Sequence, residues 1–287
     1  MKKIYMNLYD TLEIGDNFPT VIMGVLNLSP ESFYPGSVYS DTKALKNATL
    51  QMIHNGAKML DLGARSTAPW SQKITIEEEI NRIISALELV CRITPDEIII
   101  SIDTQHRRVA QTACEICLKY SKKLIINDVS CFKTDPTLQD FVVKNEIPVI
   151  LMASKKVPGD LCTIEEIVQE FEETINHLKN LGYNTNKIIL DPGIGKWVKQ
   201  KVHTYDLKII GNLKKLRKLE KPILVAISRK SFIGTTLNLP DPEDRLSGTL
   251  SSTAIAVYNG AHIVRTHDVD KNLFEMVKIA EKIRKNQ

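Results

Sequence analysis

Long apolar runs are missing from this sequence. Stretches such as Ile223-Leu224-Val225-Ala226-Ile227 fall far short of the roughly 20 apolar residues that a membrane-spanning helix needs. No secretory leader is expected, because Met1-Lys2-Lys3 leads into Ile4-Tyr5-Met6-Asn7 and then into acidic and polar residues. Cysteine is sparse, and its odd count of 5 fits a reducing compartment better than a disulfide framework, so a cytoplasmic protein is expected. Charge of one sign is not in excess either: 38 Lys and Arg are interspersed with 34 Asp and Glu, for a formal net charge of +4. That balance argues against a nucleic-acid-binding stripe and suits a small anionic ligand. Neither nucleic acid nor a membrane is an expected partner.

What the sequence does have is rhythm. With 287 residues and 43% hydrophobic positions it can bury one large core. Short β-branched runs at 21–26, 58–62, 98–102, 124–127, 148–152, 187–190, 223–227 and 262–265 alternate with helix-patterned stretches. The helical stretches cover 41–55, 76–91, 106–119, 135–144, 164–181, 204–219, 242–258 and 269–285. This alternation predicts an α/β fold, a (β/α)8 TIM barrel built as a single domain over 1–287. An open doubly wound sheet is the rival. Residues 1–20 form an N-terminal extension, and the turn signal Ile14-Gly15-Asp16-Asn17 suggests a hairpin that closes the barrel bottom.

Nearly every predicted strand ends on a polar group: Asn27, Asp61, Asp103, Asn127 with Asp128, Asp191, Ser228-Arg229-Lys230, and Arg265 with His267; the fifth ends near Met152. A closed parallel barrel brings all these ends to one rim. A single polar strand end marks only the start of a loop, but so many charges around one mouth must pair or bind something. Asp and Asn side chains read the edge of a flat heterocycle, whereas Arg265, His267 and Asn27 suit phosphate oxygens. Helices opening near Gly248-Thr249-Leu250 and after the last strand are placed to add anion stabilisation.

The segment Ile22-Met23-Gly24-Val25-Leu26-Asn27-Leu28-Ser29-Pro30-Glu31-Ser32-Phe33 resembles the opening motif of the dihydropteroate synthase family. Others follow in family order: Leu60-Asp61-Leu62-Gly63-Ala64-Arg65-Ser66-Thr67-Ala68-Pro69, Ser101-Ile102-Asp103-Thr104, Ile126-Asn127-Asp128, Leu190-Asp191-Pro192-Gly193-Ile194-Gly195, Ser228-Arg229-Lys230-Ser231-Phe232 and Arg265-Thr266-His267-Asp268. The resemblance implies a transferase that joins 6-hydroxymethyl-7,8-dihydropterin pyrophosphate to an arylamine and releases pyrophosphate. It further implies a pterin held by Asp103, Asn127, Met152, Asp191 and Lys230, and a pyrophosphate held by Asn27, Thr67, Arg265 and His267. Mg²⁺ would sit at Asn27, the arylamine would meet Arg65, Ser66, Thr67, Pro69, Lys196 and Ser231, and Asp103, Lys230, Arg265 and His267 would carry the chemistry. Loops 29–39 and 63–73 would close over the reaction, in a homodimer.

The sequence departs from the family pattern on the amine side. A Glu of the second loop is replaced by Arg65 and an Arg by Ala68, the His after strand five is Ala153, and Lys196 stands where Phe is usual. With Lys155, Lys156 and Lys199, these changes predict a larger, more anionic amine than p-aminobenzoate, such as the ribofuranosyl-aminobenzene phosphate of the archaeal variant linked to methanopterin; solvated surface charge is the competing reading. A pterin-dependent methyltransferase and a catalytically silent pterin-binding protein are the rival functions. Cys114 and Cys117, at metal-knuckle spacing, read as helix packing residues.

Overall fold

The computed structural model describes residues 2–29, 39, 41–66, 71 and 73–286. An antiparallel hairpin of β1 (Tyr5–Leu8) and β2 (Leu12–Gly15) comes first. Eight parallel strands follow: β3 (Val21–Asn27), β4 (Met59–Gly63), β5 (Ile99–Asp103), β6 (Leu124–Asp128), β7 (Val149–Met152), β8 (Ile188–Asp191), β9 (Leu224–Ala226) and β10 (Ile263–Thr266). Their order is β8-β7-β6-β5-β4-β3-β10-β9, and a parallel bridge from Leu190 to Ile223 joins the two outer strands. The sheet therefore curls into a barrel, as the alternation predicts, and the open-sheet rival is set aside.

The helices form the outer layer: α1 (Thr42–His54), α2 (Ile76–Ile93), α3 (Arg107–Lys119), α4 (Pro136–Asn145), α5 (Ile164–Asn180), α6 (His203–Gly211), α7 (Ser231–Leu237), α8 (Leu246–Tyr258) and α9 (Lys271–Lys285). Local chemistry sets their starts. Thr75 with Glu78 and Thr163 with Glu166 make capping boxes that satisfy the first free N–H groups of α2 and α5. Asp135 caps α4 just before Pro136, where a missing N–H costs nothing.

Two predicted helices are divided. The stretch 204–219 stops at Asn212, whose side chain donates back to the Lys208 carbonyl, and continues as a 3-10 segment Leu213–Leu219. The stretch 242–258 begins as a 3-10 turn, Pro242–Arg245, where the Arg245 guanidinium donates to the carbonyls of Leu239 and Arg229 at 3.0 Å each. The short α7 was not anticipated.

Strand alternation builds two cores. Outward positions such as Leu60, Leu62, Ile100, Ile102, Ile126, Val149 and Val225 pack against the helices. Inward positions nearest the strand starts, Val21, Met23, Met59, Ile99, Ile125, Ile150, Ile189, Leu224 and Ile263, fill the barrel floor. Met6, Leu8 and Ile14 of the hairpin join that floor, so the N-terminal segment closes the bottom as expected. Asp16 fastens it by accepting from the Ile4 N–H at 2.9 Å and from both Arg217 nitrogens at 2.7 and 2.8 Å, and its Oδ1 lies 3.2 Å from His262 Nε2. Each fully buried aliphatic side chain contributes about 1.5–3 kcal/mol, so the plug stabilises the end of the barrel that does no chemistry.

Candidate active site

On five of the strands, moving up from the floor exchanges apolar for polar side chains. Met59 gives way to Asp61, Ile99 to Ser101 and Asp103, Ile125 to Asn127, Ile189 to Asp191, and Ile263 to Arg265. Because register keeps neighbouring strands level, Asp103 pairs with Asn127 and Met152 with Asp191. The residues expected to hold the heterocycle therefore meet at one mouth.

At its centre lies an ion network. Arg265 Nε donates to Asp61 Oδ2 at 2.5 Å and Nη2 donates to Asp103 Oδ2 at 2.9 Å. Asp61 is fully buried and also accepts from Ser101 Oγ at 2.5 Å and Asn127 Nδ2 at 3.2 Å. Asp61 and Ser101 were not singled out as site residues, although Asp61 stands at a strand end; only the register shows that Asp61 aims Arg265 and Asn127. Two acceptors of this network, Asp103 Oδ1 and Asn127 Oδ1, are buried with no hydrogen-bond partner among the described residues. Unsatisfied buried acceptors cost about 1–3 kcal/mol each, which makes them a prepared edge for ligand donors.

The same edge is electrostatically poised. Burial pushes Asp103 up to about 7, against the pull of Arg265. Burial also raises Asp191, offset by Lys230 and by the hydrogen bond from the Gly193 N–H. Lys230 is pushed down to about 8 by burial, opposed by Asp191. Lys230 Nζ donates to the Ile194 carbonyl and lies 5.4 Å from the Trp197 ring, a cation–π contact at the rim. Gly195, at φ +129, presses against Lys230: a Cβ there would meet its Nζ at 3.3 Å.

Of the phosphate-type residues, Asn27, Arg265 and His267 are described and lie at strand ends at this mouth. His267 packs its Nδ1 3.0 Å from Ser228 Oγ, and burial together with Arg265, Arg229 and Lys230 holds its imidazole at about 3, so it is neutral at ordinary pH. Asn27 ends β3 and is half-buried, and its carbonyl accepts the Tyr39 N–H at 2.8 Å. Thr67 and Pro69 lie outside the described residues, as does most of the stretch 29–39. Ser66, half-buried, contacts Ser71 at 2.6 Å; Lys196 is exposed, and Ser231 begins α7 beside Lys230.

Several charges turn out to be architectural. Arg65 Nε donates to fully buried Glu79 at 2.5 Å, and its other nitrogens donate to the carbonyls of Ile74 and Thr75. Arg65, expected on the arylamine, is thereby tied to α2 through Glu79. Asp128 points away from the mouth by strand alternation and accepts the N–H groups of Ser130 and Phe132. Arg229 makes a two-pronged pair with Asp268, linking the loops after β9 and β10. The helix ends are engaged too: Thr249 Oγ1 accepts the Arg229 N–H, and Asp270 caps α9 with its own carboxylate. Cys117 packs against Cys91, with sulfurs 4.0 Å apart, between α3 and α2.

Known proteins resemble this chain in sequence and fold. The family described as "Pterin binding enzyme" matches residues 23–267. Dihydropteroate synthase from Clostridium beijerinckii is 36% identical over 254 residues, covering 88% of this chain and 90% of its own, and that from Bacillus subtilis is 34% identical over 264 residues, covering 91% and 88%. Among solved structures, Yersinia pestis dihydropteroate synthase with a sulfonamide drug superposes with a TM-score of 0.85 at 26% identity, over 99% of this chain and 100% of that one. The Coxiella burnetii synthase in complex with pteroic acid gives 0.83 at 30% identity, over the same shares.

Proposed function

We infer that this chain, which belongs to the pterin-binding enzyme family, is a dihydropteroate synthase-type transferase that condenses 6-hydroxymethyl-7,8-dihydropterin pyrophosphate with an arylamine and releases pyrophosphate. The observation that carries the site assignment is the pair of buried acceptors Asp103 Oδ1 and Asn127 Oδ1, without a hydrogen-bond partner among the described residues, at the mouth that Asp191 and Lys230 share. A 2-amino-pyrimidine edge offers the N–H donors these oxygens lack, and Lys230 donates to a ring acceptor. Met152, buried at the same level, supplies an apolar face.

The leaving group would lie over Arg265 and His267, with Asn27 nearby; Thr67 is assigned to it by the family resemblance alone. The C–O bond to pyrophosphate breaks, the resulting cation spreads into the pterin, the amine nitrogen forms the new C–N bond, and the ammonium proton passes to the released pyrophosphate or to water. Ionised Asp103 stabilises the electron-poor ring, and Arg265 stabilises the charge growing on the diphosphate. A neutral His267 donates one hydrogen bond and gains affinity for a proton as the anion arrives. Among the described residues no cluster of three or more His, Cys, Asp or Glu could hold a metal ion. A lone carboxamide at Asn27 nevertheless fits Mg²⁺, which takes one or two protein oxygens and completes its shell with phosphate and water. When bound, the ion would neutralise developing phosphate charge.

For the amine we favour p-aminobenzoate. Arg65 is engaged with Glu79, which removes one of five cations from the case for a phosphorylated ribosyl amine of the methanopterin type; exposed Lys155, Lys156, Lys196 and Lys199 are what still favours it. The Xanthomonas albilineans synthase solved with 4-aminobenzoic acid, 25% identical with a TM-score of 0.82, supports the simpler amine. Pyrophosphate release measured with each amine in turn decides between them, and pterin binding without release would point to the silent-binder reading. Exposed Ile255, Ile279 and Ile283 on α8 and α9 support a homodimer, and the sparse cysteine supports a cytoplasmic enzyme.

A further inference from the structure

A second charged cluster lies directly behind the pterin edge. Lys201 is fully buried, with 0% of its side chain exposed. Its Nζ donates to the Gly193 carbonyl at 2.5 Å and stands 3.9 Å from Asp206 Oδ1. Asp206 Oδ1 accepts the Gly195 N–H at 2.8 Å, and Asp206 Oδ2 is buried with no hydrogen-bond partner among the described residues. Lysine is almost never buried without a close partner, and an ion pair this incomplete costs stability compared with an apolar pair. Its retention calls for a reason in the site.

Geometry supplies one. Lys201 fixes the carbonyl of Gly193, Asp206 fixes the N–H of Gly195, and between them lies Ile194, whose carbonyl receives Lys230 Nζ. The Gly193 N–H meanwhile holds Asp191 Oδ1 at 2.8 Å. Gly193 sits at φ +72, a left-handed turn that needs such anchors. We propose that Lys201 and Asp206 are positioning residues of the transferase, a buried clamp that sets the 193–195 turn and through it the poses of both Asp191 and Lys230. The proposal rests on the pterin reading above, because those two groups matter only if they grip the ring.

The clamp also acts by charge. Lys230 is faced by Asp191, Arg265, Asp206 and Lys201, in that order of influence, with the Trp197 ring at its edge. Asp206 favours its protonated form more than Lys201 opposes it, so losing Asp206 lowers the pH at which Lys230 gives up its proton even if Lys201 loses its charge as well.

The test uses the full chain, with 6-hydroxymethyl-7,8-dihydropterin pyrophosphate and p-aminobenzoate as probes. Lys201→Met is expected to raise the KM for the pterin substrate about 10-fold or more while leaving the amine KM within about twofold, and Lys201→Arg to recover part of the loss. Asp206→Asn is expected to move the alkaline limb of the kcat/KM profile to lower pH, which a packing defect alone would not do. An unchanged pterin KM in Lys201→Met together with an unmoved alkaline limb in Asp206→Asn overturns the proposal. Should Lys201→Met fail to fold, the Asp206→Asn limb decides alone. If the wild type itself releases no pyrophosphate, the transferase reading fails instead, so the two failures are distinguishable.

Discussion

Arg265 Nε lies 2.5 Å from Asp61 Oδ2, and neither residue can be understood without the other. The carboxylate is wholly buried and cannot contact a ligand as freely as the rim residues do; it orients Arg265 toward Asp103 and anchors the Asn127 amide. Asp61→Ala should leave the guanidinium without its main counter-charge and cost about 3–5 kcal/mol, the usual consequence of breaking a buried pair. Chemical denaturation combined with pterin titration checks this: both stability and affinity fall. Lost affinity with intact stability would mean that Asp61 touches the ligand directly.

The pH profile carries a second expectation. Activity needs Asp103 ionised and Lys230 protonated, so the rate climbs as pH rises through about 7 and declines as pH passes about 8. Stability runs the other way on the acid side. Asp103 is held above its ordinary 3.8, so the folded chain keeps a proton that the unfolded chain releases, and stability falls between about 4 and about 7 before levelling off. Asp103→Asn should reduce that slope, the remainder coming from Asp128, Asp191 and Asp206, whose carboxyls burial also raises; thermal melts across the range read it, and turnover should fall.

Arg65 and Glu79 provide a third. Either single neutral substitution strands a buried charge, whereas Arg65→Met with Glu79→Gln removes both. A double-mutant cycle is expected to show coupling of about 1–3 kcal/mol, with the pair recovering much of what each single change loses. An increase in amine KM in Arg65→Met without loss of stability would restore Arg65 to the amine site.

For the metal, chelation with EDTA should suppress turnover, and added Mg²⁺ should restore it. Asn27→Ala is expected to raise the Mg²⁺ concentration needed for half-maximal rate by about 10-fold, and Asn27→Asp to lower it, because a carboxylate is the stronger Mg²⁺ ligand. An Mg²⁺ dependence identical in all three proteins would move the ion elsewhere.

The barrel was legible because period-two strands and helical stretches alternate along the whole chain, and because Asn27, Asp103, Asn127, Asp191 and Arg265 fall at strand ends that closure brings together. What escaped was side-chain partnership. Arg65 looks like a free cation in the sequence, yet Glu79, fourteen residues along, captures it because α2 packs beneath the loop. Lys201 is indistinguishable from Lys196 and Lys199 in a lysine-rich run, and only the turn it supports shows that one of the three is buried. Asn127 and Asp128 are adjacent and both polar; the one-residue flip of a strand sends the first into the mouth and the second into its own loop.

Calorimetric titration of 6-hydroxymethyl-7,8-dihydropterin pyrophosphate into the wild type, Asp191→Ala and Asn127→Ala tests the pterin edge most directly. Each variant should bind about 10-fold more weakly or worse, as loss of a buried hydrogen-bond partner predicts, while remaining folded. Wild-type affinity in both folded variants would contradict the account, because the ring would then rest on other groups.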